Sequence, residues 1–114
     1  MTIFLPLGGI TNGHNDMLDS VAVFNSKSNQ WEDGPKLPEA ISAMCAVKLD
    51  DTEIFVAGGD SFEDAYLVNT WIYNVFGEEW HATPNLLHPR EAPACAYFVD
   101  EKRPKESRVV IAGN

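Results

Sequence analysis

Basic residues, cysteines and long apolar runs are all scarce in this 114-residue chain, and each shortage excludes a class of function. Eight Lys and Arg stand against 17 Asp and Glu, a net charge of −9. A surface of that sign repels a phosphate backbone, which argues against nucleic acid and anionic membrane as partners. The electrostatically natural partner is a basic protein segment. No apolar run approaches the about 18 residues that suggest a membrane span. Two cysteines, Cys45 and Cys95, make no disulfide framework. Asn-x-Ser/Thr acceptors are absent, and the first nine residues lack the basic start and the length of a signal peptide. The chain therefore reads as soluble and cytoplasmic.

Catalytic signatures are equally thin. His14, His81 and His88 show no His-x-x-x-His spacing and read as surface histidines. No Gly-x-Ser-x-Gly elbow occurs. The acidic pairs Asp50-Asp51, Glu63-Asp64 and Glu78-Glu79 read as solvated turn residues. The expectation is a chain with no catalytic residue, no metal site and no cofactor. It is not read as an enzyme.

What the chain does contain is a repeat. One copy runs Ile3 to Gly8-Gly9, then Val21-Ala22-Val23-Phe24-Asn25, then Trp31. The next runs Ile54-Phe55-Val56-Ala57-Gly58-Gly59, then Thr70-Trp71-Ile72-Tyr73-Asn74, then Trp80. The glycine pairs are 50 residues apart, and both the Phe24/Tyr73 and the Trp31/Trp80 positions are 49 apart. A third copy opens with Arg108-Val109-Val110-Ile111-Ala112-Gly113. A period of that length marks stacked supersecondary units.

Each part of the repeat has the physics of a strand or a turn. Ile54 to Ala57 is a short β-branched and aromatic run closed by glycines, which reads as a buried strand. Paired glycines suit a strand end where the chain turns with positive φ or where backbones crowd. Val21 to Phe24 and Trp71 to Tyr73 form the next strands. Residues 25–29 and 75–78 then make tight hairpins into strands centred on Trp31 and Trp80. Residues 42–49 and 94–99 read as the strands upstream of each glycine-ended strand. No stretch sustains a 3.6-residue period, so the class is all-β.

A Gly-Gly, an aromatic residue and a tryptophan in fixed order at this period resemble the kelch repeat. The resemblance covers nearly the whole chain. It implies a partial β-propeller of four-stranded antiparallel blades, with strands a to d counted outward from the axis. Residues 1–34 would supply strands b to d of one blade, 35–83 a complete blade, and 84–114 strands a and b of a third. Closure takes roughly four to eight blades, so the remaining blades are expected from a longer chain or from other copies.

The resemblance also assigns roles. Gly8, Gly9, Phe24, Trp31, Gly58, Gly59, Tyr73 and Trp80 become repeat positions, with the aromatics filling the space between neighbouring sheets. Trp71 reads as core. Cys45 and Cys95 fall at matching places on successive a-strands. At the ~10 Å spacing of packed sheets they lie beyond the ~7 Å Cα reach of a disulfide, so both are expected as small, unpaired core residues.

Function then falls to the loops. Partner-binding kelch propellers commonly use the b–c and d–a loops. The b–c loops here are residues 10–19 and 60–68, with Asp16, Asp19, Asp60, Glu63 and Asp64 and no Lys or Arg. Phe62 is the aromatic candidate there. The d–a loops are residues 32–41 and 81–93. Arg90 matches an arginine common before a-strands in the family, where the first copy has Ala40. The resulting expectation is a protein-interaction scaffold whose b–c face docks a basic segment, within a ubiquitin-ligase adaptor or an actin-binding protein. The alternatives are a piece of a secreted kelch-like enzyme, of the galactose oxidase or sialic-acid epimerase type, and a truncated gene product without independent function.

Overall fold

The structure is a computed structural model that describes residues 7–10, 17–61, 67–90 and 92–113. Among these residues nine strands form three antiparallel sheets: β1 (Leu7–Ile10), β2 (Met17–Asn25) and β3 (Gln30–Asp33); β4 (Cys45–Lys48), β5 (Glu53–Ala57), β6 (Thr70–Asn74) and β7 (Glu79–Thr83); β8 (Ala94–Phe98) and β9 (Arg108–Ala112). Within each sheet the strands follow chain order. The class is all-β, as the strand pattern predicts. A complete four-stranded blade stands between two partial ones, and the sheets do not close into a ring.

Hairpins recur because the residues that shape them recur. Asn25 ends β2, and its side-chain carbonyl accepts the backbone N–H of Lys27 at 2.9 Å. Asn74 ends β6, and its side-chain carbonyl accepts the N–H of Gly77 at 2.9 Å. Each turn then closes on a residue in the left-handed region, Asn29 with φ 59° and Glu78 with φ 52°. These Asn side chains stand in for a backbone turn, which sets the register of the following strand. Asp50 and Asp100 do the same between β4 and β5 and between β8 and β9. Asp50 Oδ1 accepts from the N–H groups of Thr52 and Glu53, and Asp100 Oδ1 from those of Lys102 and Arg103. The longer β8–β9 connection also holds a 3-10 turn at Pro104–Glu106.

The core belongs to the complete blade. Ile41, Val56, Leu67 and Trp71 are buried together, with Met44, Ile54 and Trp80 packed against them. Trp71 is thus core, as expected. Burial of Ile41 and Val56 is total. At about 25 cal/mol per Å² of apolar surface, such residues supply the dominant favourable contribution to the blade. Val21 and Leu37 are buried at the first sheet, where Gly34 leaves room for Val21 and Val23.

One expectation needs correction. Cys45 and Cys95 are not unpaired: a disulfide joins them, with a Cα–Cα distance of 5.7 Å. The ~10 Å spacing applies to sheets stacked face to face. Here the inner strands β4 and β8 are the pair that packs across the second and third sheets, so the sheets converge at their inner ends. Trp31 and Trp80 differ in their surroundings. Trp31 is 56% exposed and contacts Phe24 within its own sheet, ring centroids 5.2 Å apart. Trp80, at the equivalent position, is half-buried. Its indole N–H reaches the carbonyl of Pro35 on the connection between the first two sheets. Trp31 has no equivalent acceptor among the described residues.

Candidate functional site

The most tightly specified loop junction lies where Gly58 and Gly59 follow β5. Both glycines have positive φ, 69° and 95°. A side chain at Gly59 would place its Cβ 2.5 Å from the carbonyl oxygen of Ser42 and 2.9 Å from Ile41. At Gly58 it would meet Pro93 at 2.8 Å. The sequence reading of this pair as a turn under backbone crowding is therefore what the geometry shows.

Main-chain hydrogen bonds tie down both ends of the loop that leaves this corner. Asp60 and Ser42 exchange N–H to carbonyl bonds, each 2.9 Å. At the far end, Leu67 N–H donates to Gly59 and receives Arg90 N–H on its own carbonyl, while Gly59 N–H donates to Arg90. Leu86 N–H donates to Val68, a bond that Leu37 N–H to Asp19 repeats in the first copy. Backbone groups at this corner are satisfied by partners on three different segments, so the loop springs from a rigid frame.

The site residues inferred from sequence distribute unevenly over this frame. Asp60 stands at its first position, half-buried, and its Oδ1 is buried with no hydrogen-bond partner among the described residues. Phe62, Glu63 and Asp64 lie outside the described residues, as does Asp16. Asp19 belongs to β2 rather than to a loop, because that strand begins at Met17. Arg90 is half-buried and donates from Nη1 to the carbonyl of Gly113, so its guanidinium bridges the connection after β7 to the end of β9.

The connections after β3 and β7 also start later than expected. Glu32 and Asp33 are in β3, and His81 is in β7, where its Nε2 lies 3.2 Å from Glu79 Oε1. Thr70 and Thr83 face each other across β6 and β7 with their hydroxyls in contact, and Thr70 donates onward to the carbonyl of Pro84 at 2.8 Å. That polar tie had no signal in the repeat arithmetic, since the first copy has Val21 and Gly34 at these places. The missed Cys45–Cys95 bond did carry one: a cysteine at the same strand position in two successive copies.

Among the described residues no three His, Cys, Asp or Glu side chains gather as a metal set. A shallow depression at the β8–β9 hairpin is lined by Phe98, Asp100, Arg103, Glu106 and Arg108. Within it Arg103 already pairs with Asp100 and Glu106 at 3.5 and 3.3 Å. No helix among the described residues is long and apolar enough to cross a membrane.

No protein-family model matches the chain. Individual proteins do. An F-box/kelch-repeat protein of Arabidopsis thaliana is 31% identical over 79 residues, covering 68% of this chain and 19% of that protein. A second F-box/kelch-repeat protein of the same plant is 30% identical over 87 residues, 75% of this chain and 24% of its own length. Kelch-like protein 22 of Xenopus tropicalis is 42% identical over 43 residues, 38% of this chain and 7% of that protein. The chain spans about a quarter or less of the length of these relatives.

Proposed function

Taking the chain as a run of kelch-type repeats, one complete blade between two partial ones, we propose that it is a protein-interaction scaffold that docks a basic partner segment on its b–c loop face. The observation that carries this reading is the frame at Gly58, Gly59 and Asp60. It fixes both ends of residues 60–67, whose charged members, Asp60, Glu63 and Asp64, are all acidic. A rigidly mounted loop of one charge sign lowers the ordering cost of binding and steers an oppositely charged partner.

The names of two relatives join an F-box to kelch repeats. On that likeness we place the segment as the substrate-recognition part of a ubiquitin-ligase adaptor, in preference to an actin-binding role. Copurification of ligase subunits with the longer polypeptide would support this placement. Copurification of actin in their stead would overturn it.

The docking face is tested with a lysine- and arginine-rich peptide as probe, titrated against the chain at two salt concentrations. The triple variant D60K/E63K/D64K should bind at least about tenfold more weakly and with a shallower salt dependence. Equal affinity and an equal salt slope in the variant would dispose of the b–c face as the site.

A further inference from the structure

We propose that the Cys45–Cys95 pair is a thiol–disulfide exchange site, and that its reduction releases the third sheet from the complete blade while leaving that blade folded. The two sheets are unequal in what holds them. The complete blade carries its own core of Ile41, Val56, Leu67 and Trp71. In β8 and β9 no residue is buried, and Phe98 and Val110 are 61% and 44% exposed. Apolar burial therefore retains the second sheet and does little for the third.

The remaining ties between the two sheets lie mostly ahead of β8. Main-chain bonds join Arg90 to Gly59 and Leu67, and Pro93 packs over Gly58. Past Pro93, besides the packing of β8 on β4, two discrete links hold the described chain: the disulfide, from the second residue of β8 to the first of β4, and the guanidinium of Arg90 on Gly113 at the far end of β9. Cys45 pairs across the ladder with the fully buried Ala57, whereas Cys95 pairs with the half-exposed Ile111. The staple thus fastens a well-packed strand to a weakly packed one. Its partners are 50 residues apart in sequence, and the loop they close runs through β5, β6 and β7. Cutting it frees the unfolded chain of that segment, and the buried core of Ile41, Val56, Leu67 and Trp71 is what keeps the complete blade folded after the cut.

Cys45 is 7% exposed and Cys95 is half-exposed, which makes Cys95 the accessible sulfur. The thiolate of a dithiol reductant bonds to Cys95 Sγ; the S–S bond breaks and its electron pair leaves on Cys45 Sγ, which takes up a proton. The reductant's second thiol then attacks its own sulfur in the mixed disulfide and expels Cys95 as a thiolate, which is protonated in turn. Two electrons and two protons pass to the cysteines, and the dithiol departs as a disulfide.

Hydrogen exchange read by mass spectrometry on the 114-residue chain, with and without dithiothreitol, tests the proposal. Reduction should speed exchange of amides in 94–98 and 108–112 by tenfold or more and leave those in 53–57 and 70–74 unchanged. Iodoacetamide should modify neither cysteine before reduction and both after it. The double variant C45A/C95A should show the fast pattern with or without reductant. Exchange in β8 and β9 that is already unprotected in the oxidised chain, or unmoved by reduction, would overturn the proposal. So would loss of protection throughout the chain, which would make the bond a support of the whole fold.

Discussion

Trp80 donates its indole N–H to the carbonyl oxygen of Pro35, 3.0 Å away and 45 residues earlier. The bond ties the outer strand of the complete blade to the connection that leads into that blade. Trp80→Phe keeps most of the ring's packing but leaves the Pro35 carbonyl without this partner. It should lower stability by about 1–2 kcal/mol. Trp31→Phe, at the exposed equivalent position, should change stability by less than about 0.5 kcal/mol. Urea unfolding of the two variants side by side checks the difference, and equal losses would mean that both tryptophans act only through their own hairpins.

Substitution at the glycines should follow the local geometry rather than the residue type. Gly59→Ala combines a φ of 95° with a Cβ driven 2.5 Å from backbone oxygen, neither of which a side-chain shift relieves. A loss of roughly 2 kcal/mol or more is expected. Gly77→Ala meets only the carboxyl end of Glu79, a flexible side chain that can swing away. Its loss should stay under about 1 kcal/mol. Thermal melts of both variants would expose the contrast.

Glu78 sits at φ 52°, a conformation that Asn29 fills in the preceding copy. Asn tolerates the left-handed region better than Glu, so Glu78→Asn should raise stability by up to about 1 kcal/mol. The same change tests an electrostatic link. Burial, and then the Glu78 charge, hold the Tyr73 hydroxyl above its ordinary pKa of 10.0. Because the folded value is the higher one, Tyr73's contribution to stability is complete below pH 10 and declines as pH rises through the folded pKa. In the Glu78→Asn variant the ultraviolet titration of Tyr73 should move down towards 10 without reaching it, since burial persists.

Asp50 shows the opposite sign. The Thr52 backbone N–H, then the Thr52 hydroxyl, lead in holding its carboxyl below the ordinary 3.8, and burial partly offsets them. Its contribution is therefore present above pH 3.8 and lost as pH falls through the folded value. Asp50→Asn retains an acceptor at the turn and removes the charge change. Its acid-unfolding curve should be flatter than the parent's below pH 4, and an identical curve would show that the β4–β5 turn does not govern acid stability.

The acidic loop residues were legible as a sequence feature, because charge sign needs no fold. Their mounting was not. Asp60 is held by Ser42 and the loop's far end by Arg90, residues 18 and 23 positions away along the chain, and no short-range pattern announces such pairs. Asp19 follows Asn12, Gly13 and Asn15 and so reads as a loop residue. It lies in β2 between Leu18 and Val21, which pair with Gly9 and Leu7 of β1.

The amino-acid sequence by itself determined the strands, their order and the turns between them. Those depend on alternation, on Asn25 and Asn74, on Asp50 and Asp100, and on glycines where φ turns positive, all of which act within a few residues. Tertiary structure alone decided which equivalent residues stay equivalent. Trp80 finds the Pro35 carbonyl and Trp31 faces solvent; Cys45 and Cys95 meet because β4 and β8 pack together. Repetition along a chain specifies a residue's place within its own sheet. What lies against that sheet depends on how neighbouring sheets converge, and that is a property of three dimensions.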